Sequence, residues 1–360
     1  MCPWEEPAGI EGMSRRRDLL WRDHASAALA VACLQRLDVD GPLLTMQDPL
    51  PDVEVALRSS GADVTAFHRR AFGGRDASTW PSPGPYQGVT LRIPRGKEEL
   101  SMSLSAACSV LRKAGWLLVY GARDEGIQAA QKPLSVLFSR VETMAVGGRC
   151  RVLRGSGLRS EFPDRPCLED WKVIASPGHP ELPGEWVSYP GVFAHGRLDE
   201  GTRLLLGALP GLPAEARLLD YGCGTGVVGY VASKRGKKLQ VDLLDVDAVA
   251  LEAASQNFPE ASLLLHDGLP PVGSGPYDAI LSNPPFHRGK AEDPGMILSL
   301  ISGSGALLSR DGSLVLVAQK RLALEADLSR HFKDVEALSD DRTFRVWRGR
   351  DARRLSPRRL

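Results

Sequence analysis

Short apolar runs, each followed by a stretch with apolar positions three and four apart, recur along the whole chain. Leu20, Ala27, Val31 and Leu34 repeat at helical spacing and predict a helix over 18–37. Strands are predicted at 41–46, 63–67, 88–93 and 115–120, with helices at 54–59 and 98–114 between them. A second series starts after 190. It opens with a helix over 199–209, carried by Leu204, Leu205, Leu206 and Leu209. Strands follow from Arg217 and at 240–245, 262–267, 279–282 and 313–318, with helices at 248–258, 297–308 and 321–332. Two last short strands, 334–338 and 344–347, are joined by the polar turn Ser339-Asp340-Asp341-Arg342. So short a link predicts an antiparallel hairpin at a sheet edge. Alternation of strand and helix predicts a parallel, doubly wound α/β sheet in each half.

Between the two series the pattern breaks. Residues 155–190 are rich in Gly, Pro and polar residues and read as a linker. The expected organisation is therefore a first domain over 1–154, a linker over 155–190 and a second domain over 191–360. A further polar, Gly- and Pro-rich loop is expected over 73–86.

Composition narrows the class of molecule. A chain of 360 residues with 43% hydrophobic and 25% charged residues fits about two globular domains. No run of 18 apolar residues is present, so no membrane span is expected. The N-terminus lacks the basic start and apolar core of a signal peptide. Six scattered cysteines with no Cys-x-x-Cys pair suit free thiols in a reducing cytoplasm, and no metal site is expected. The formal charge of +1 hides an asymmetry: +4 over 1–160, −10 over 161–341 and +7 over 342–360. The Arg-rich end reads either as a solvated tail or as a site for nucleic-acid phosphate.

Two stretches of the second half carry chemistry. Asp220-Tyr221-Gly222-Cys223-Gly224-Thr225-Gly226 lies between an apolar strand and a helix. Its glycines let the backbone pass close to a ligand, and the helix start offers free N–H groups. Gly224 to Gly229 also spells the dinucleotide fingerprint, with Asp245 about 20 residues on as a ribose-binding acid. The turn alone leaves NAD and other adenosine-bearing ligands open. The second stretch is Ser282-Asn283-Pro284-Pro285-Phe286, which follows the apolar run Ala279-Ile280-Leu281. Two prolines end a strand in a stiff, extended turn. Such a turn can hold the Asn283 amide and the Phe286 ring around a planar group that bears an NH2. The first half has no such glycine turn: Gln47-Asp48-Pro49 stands in its place.

Three further positions favour a cofactor other than NAD. Asp220 could reach an amino-acid ammonium group. The Asn283-Pro284-Pro285-Phe286 turn ends the fourth strand of the domain. Asp267-Gly268 ends the third, where a carboxylate could accept a bond from an adenine amine. All of these fall beyond the carboxyl ends of the strands, where open α/β sheets bind ligands. Asp247 suits a helix cap better.

The glycine turn and Asn283-Pro284-Pro285-Phe286-His287 resemble the class I S-adenosylmethionine (SAM) methyltransferases that modify exocyclic amines. Within that class the chain more closely resembles the bacterial ribosomal RNA guanine-N2 methyltransferases of the RsmC/RlmG type. Pro190-Gly191-Val192-Phe193, Leu198-Asp199-x-Gly201-Thr202 and the loop Gly121-Ala122-Arg123-Asp124-Glu125-Gly126 add to the similarity. The resemblance implies two tandem Rossmann-like methyltransferase domains. The first is degenerate and serves RNA recognition; the second is a seven-stranded doubly wound sheet. It implies SAM as cofactor, held by Asp220, Gly222, Gly224, Gly226, Asp245, Val246, Asp267 and Gly268, with Asn283, Pro284, Pro285 and Phe286 as the catalytic set. The implied partner is ribosomal RNA or a ribosomal subunit, met by a cytoplasmic monomer. Rival readings are a protein glutamine N5 methyltransferase, a DNA adenine methyltransferase, a dehydrogenase and a non-catalytic RNA-binding protein.

Overall fold

A computed structural model describes residues 11–37, 39–159, 166–284, 287–288, 291–292 and 295–353. The chain forms two compact units. The first holds α1 (Glu11–Leu34), β1 (Pro42–Met46), α2 (Asp52–Ser59), β2 (Asp63–Phe67), β3 (Tyr86–Arg92), α3 (Lys97–Val110), β4 (Leu111–Ala122), α4 (Gln131–Leu137), β5 (Phe138–Gly147) and β6 (Cys150–Leu158). Its sheet runs β2-β1-β3-β4-β6-β5. The first four strands are parallel, and β6 and β5 close the edge as an antiparallel pair. That closing hairpin is not read from the apolar pattern: β5 is largely exposed, so its alternation is weak. Helix α3 ends at Val110, four residues earlier than expected, and β4 starts at once.

The second unit begins at Cys167 and also takes in His68–Trp80, the loop between β2 and β3. The expected linker 155–190 is thus divided. Its start completes β6, and its end contributes β7 (Val173–Ala175) and β8 (Trp186–Ser188) to the second unit. Then come α5 (Glu200–Gly207), β9 (Arg217–Tyr221), α6 (Val227–Arg235), β10 (Gln240–Asp245), α7 (Ala248–Asn257), β11 (Ser262–Leu265) and β12 (Tyr277–Ser282). The short β13 (His287–Arg288) follows, then β14 (Ala291–Glu292), which counts with the first unit, and the second unit continues with α8 (Gly295–Ser304), β15 (Leu308–Gln319), α9 (Glu325–His331), β16 (Phe332–Asp340) and β17 (Phe344–Ala352).

The seven-stranded sheet runs β11-β10-β9-β12-β15-β17-β16. It is parallel through β15, and β17 and β16 form the expected antiparallel hairpin. Successive residues serve opposite faces, as a strand covered on both sides requires. Leu218, Leu243, Leu281 and Val315 pack with α5, α6 and α7; Leu219, Leu244, Ile280 and Leu316 pack with α8 and α9. The register sets Tyr221 beside Leu244 and Ser282. The carboxyl ends of β9, β10 and β12 therefore come level.

The Arg-rich end proves to be a ladder rather than a free basic strip over 345–350. Arg345 pairs with Asp340, Arg348 with Glu336, and Arg350 with Asp334, across the β16–β17 hairpin. Residues 354–360 lie outside the described residues. No described helix is long and apolar enough to cross a membrane.

Candidate active site

The glycine turn forms because β9 must reverse into α6 within five residues. Gly222, Gly224 and Gly226 all have positive φ (70°, 54° and 85°). Gly229 is set by close approach: a Cβ there would lie 2.6 Å from Leu243 Cδ2. Its absence lets the Gly229 N–H reach Asp220 Oδ2 at 2.8 Å. Outer contacts fix the turn. Trp186 Nε1 donates to Thr225 Oγ1 at 2.9 Å, and Asn257 Nδ2 donates to the Thr225 carbonyl at 3.1 Å.

A cleft opens over this turn. Asp220, Gly222, Gly224 and Asn283 line it, together with Phe193, Arg197, Asp199 and Thr202. At Gly224 no atom lies within 4 Å of the place a Cβ would take, so the turn leaves open space towards the cleft. Asp220 is 1% exposed. Burial raises its carboxyl to about 7, opposed by the Gly229 N–H and helped by Asp245. A buried acid of this kind is poised to gain from a cation placed beside it. Asp245 accepts from Gly224 N at 2.9 Å and from Asp247 N at 2.9 Å. Burial, then the neighbouring Asp247, pushes it up to about 6.

The remaining sequence-predicted positions sit beneath the segment 68–80. Ala71 N donates to the Val246 carbonyl at 2.9 Å, and Gly73 N donates to Asp267 Oδ2 at 2.8 Å. Gly268 takes φ +83°, and its carbonyl is 3.2 Å from His266 Nδ1. Asp247 caps α7 through Val249 N at 3.0 Å, as expected. It also receives two bonds from Arg69 Nε, at 2.8 and 2.9 Å, with Arg69 1% exposed. Burial alone would raise Asp247. Arg69 and then Arg70 override that and hold it below the ordinary carboxylate range.

Asn283 follows β12, whose last residue, Ser282, is tied to the Tyr221 carbonyl at 2.8 Å. Its Nδ2 donates to Asp199 Oδ2 at 3.0 Å and to Thr202 Oγ1 at 2.8 Å. Its Oδ1 is buried and has no hydrogen-bond partner among the described residues. A buried acceptor left open costs about 1–3 kcal/mol, so such an atom in a cleft marks a place for a donor. Pro284 is buried; Pro285 and Phe286 lie outside the described residues. Among the described residues no group of three or more His, Cys, Asp or Glu could hold a metal ion.

The acceptors here suit SAM, a ligand with an ammonium group and hydroxyls: Asp220 lines the cleft with the glycine turn, and Asp245 accepts from that turn at Gly224 N. The sequence reading missed His68–Trp80, Asp199 and Thr202 as parts of the site. Asp199 and Thr202 stand in the stretch Leu198-Asp199-x-Gly201-Thr202, which the sequence marks by family likeness and by its N-cap spacing but not as part of the site.

Comparison with known proteins fits this geometry. The methyltransferase small domain family model matches residues 184–348. The ribosomal RNA small subunit methyltransferase C of Hahella chejuensis is 30% identical over 330 residues, covering 87% of this chain and 95% of that protein. The protein of the same name from Chromohalobacter salexigens is 35% identical over 276 residues, covering 75% and 80%. Among solved structures, the T. thermophilus 16S rRNA N2 methyltransferase RsmC, in complex with AdoMet and guanosine, aligns with a TM-score of 0.76. It covers 91% of this chain and 92% of its own at 22% identity, a likeness of fold. The chain belongs to the ribosomal RNA small subunit methyltransferase C family.

Proposed function

We propose that this protein transfers a methyl group from SAM to the exocyclic N2 amine of a guanosine in small-subunit 16S ribosomal RNA. The observation that carries the reading is the buried Asn283 Oδ1, without a partner among the described residues, on a residue that lines the same cleft as Asp220 and the glycine turn. SAM supplies a methyl group on a cationic sulfur, which keeps the electron pair of the broken C–S bond. The chain's own part is to bind, orient and polarise. Asp220 takes the ammonium end, and Asp245 takes the ribose hydroxyls.

A guanine amine is a weak nucleophile because its lone pair is delocalised into the ring. Asn283 Oδ1 accepts one N–H and the Pro284 carbonyl the other. Held so, the nitrogen turns its lone pair towards the methyl group, and the positive charge that grows on it faces two acceptors. Phe286 is assigned the stacking surface from the sequence. Preorganised dipoles of this kind supply about 10²–10³-fold for each group removed. The proton leaves the amine after transfer, so no strong base is required. A base within a helix must be unstacked to enter such a cleft.

The first unit is assigned RNA recognition without SAM. Where a glycine turn would follow β1, Gln47 and Asp48 stand instead. Asp48 is 4% exposed and accepts from Tyr120 Oη at 2.6 Å, and Gln47 Nε2 donates to Ser103 Oγ at 3.0 Å. Arg92 is paired with Asp23 and Glu125. Side chains thus fill the carboxyl ends of β1, β3 and β4.

The test is an incubation of the full chain with labelled SAM and, separately, naked 16S rRNA, small subunits, large subunits, DNA and protein. Label recovered as N2-methylguanosine from 16S rRNA, naked or within small subunits, supports the reading. Label on glutamine or adenine, or none on any substrate, overturns it.

A further inference from the structure

We infer that Asp199 and Thr202 are positioning residues that fix which way the Asn283 amide faces. The inference rests on the proposed methyl transfer to an amine and adds the residues that prepare the acceptor.

An amide side chain has one donor end and one acceptor end. Nearly equal shapes let it flip unless its neighbours forbid one orientation. Here both Nδ2 hydrogens are taken, by Asp199 Oδ2 at 3.0 Å and Thr202 Oγ1 at 2.8 Å. The Thr202 hydroxyl could serve either end of an amide, since it both donates and accepts. The Asp199 carboxylate cannot: ionised, it only accepts. A flipped amide would set Oδ1 against that carboxylate, acceptor against acceptor. Asp199 therefore selects the orientation, and Thr202 completes it. Oδ1 is left as a buried acceptor with no partner among the described residues, on a residue that lines the cleft.

The support is rigid. Asp199 Oδ2 also accepts from Thr202 N at 3.1 Å and so caps α5. Thr202 is 7% exposed, and the same helix sinks Leu205 and Leu206 into the core. Gly201 leaves the space that this needs, because a Cβ there would stand 3.1 Å from Asp199 Oδ2 and 3.3 Å from Phe344. The bond to an ionised acceptor is a strong one, and it polarises the amide so that Oδ1 becomes a better acceptor. A plain cap would need only Asp199 and the helix backbone. It would not place two acceptors, 84 and 81 residues away in the chain, around one Asn283 nitrogen.

Three variants separate positioning from capping. Thr202→Val removes the hydroxyl and keeps the shape. Thr202→Ser restores the hydroxyl. Asp199→Ser keeps a capping oxygen but lacks the reach to Asn283. In single-turnover transfer to 16S rRNA, Thr202→Val lowers the rate about tenfold and Asp199→Ser on the order of 10²-fold, approaching the loss of an oxyanion-type group. Thr202→Ser stays within about twofold of the parent, and the SAM Kd is unchanged in all three, as expected for an effect that acts through the amide. Wild-type rates in Thr202→Val and Asp199→Ser overturn the inference, as does a Thr202→Ser variant as slow as Thr202→Val.

A second readout needs no catalysis and no folded variant. In the wild-type protein, the Asn283 side-chain NH2 protons should both be protected from exchange, since both are hydrogen-bonded. Rapid exchange of either overturns the orientation. Protected protons in a wild-type enzyme that methylates no guanine would instead fault the proposed function alone.

Discussion

The segment 68–80 makes a sharp prediction, because it ties the cofactor edge of the sheet to one buried ion pair. Arg69 Nε reaches both Asp247 oxygens, at 2.8 and 2.9 Å, and Arg69 Nη1 donates to the Pro190 carbonyl at 2.6 Å. The side chains of Arg69 and Asp247 are 1% and 8% exposed. Removing one partner of such a pair leaves a buried charge and costs about 3–5 kcal/mol. In Arg69→Met the stranded Asp247 keeps the Val249 N–H and Arg70, whose Nη2 is 3.4 Å away. The expected loss is therefore near the lower end, about 3 kcal/mol. Asp247→Asn keeps the cap, and the double variant returns about 2 kcal/mol of coupling. Two units make a single unfolding transition unsafe to interpret. Native-state hydrogen exchange of the α7 amides reads the second unit alone. The same change loosens the backbone bond Ala71 N to Val246 O and the bond from Gly73 N to the Asp267 side chain, so the SAM Kd rises as well. Protection of α7 that falls by less than about 1 kcal/mol, the value of an exposed pair, would refute the reasoning.

Two further outcomes follow from the cleft. Asp220 stands at about 7 against an ordinary 3.8, because burial disfavours its charge. A bound ammonium favours the carboxylate, so affinity for SAM is full above pH 7 and falls as pH drops through 7. At pH 6 about a tenth of Asp220 is ionised, and the Kd rises up to about tenfold, with Asp245 adding to the fall below pH 6. Calorimetry from pH 5.5 to 8 checks this; a flat Kd, or the same slope in Asp220→Asn, contradicts it. Gly224→Val puts a branched side chain into open cleft space at φ +54°. It should weaken SAM by at least tenfold in the same titration, and an unchanged Kd would show that the turn does not face the cofactor.

Much of this architecture was legible along the chain. The alternation of Leu218 and Leu219, Leu243 and Leu244, and Ile280 and Leu281 marks strands covered on both faces, and the structure gives each residue its own face. The glycine turn is legible because backbone sterics confine such a pattern to a few uses. Asn283 stands out because two prolines can only end a strand. What stayed hidden depends on distance in sequence. Arg69 finds Asp247 after 178 residues, and Asp199 finds Asn283 after 84. Neither partner changes the local pattern of polar and apolar positions. The Arg residues of β17 show the same gap: charge counting sees a basic end, while cross-strand pairing neutralises Arg345, Arg348 and Arg350.

The central claim is that Asn283 Oδ1 is the acceptor that prepares a guanine amine. Asn283→Ala tests it directly, in single-turnover transfer from labelled SAM to 16S rRNA with the SAM Kd measured on the same preparation. The predicted result is N2-methylguanosine from the wild-type protein, a loss of about 10²–10³-fold or more in the variant, and an unchanged Kd. Turnover by Asn283→Ala at the wild-type rate would contradict the account.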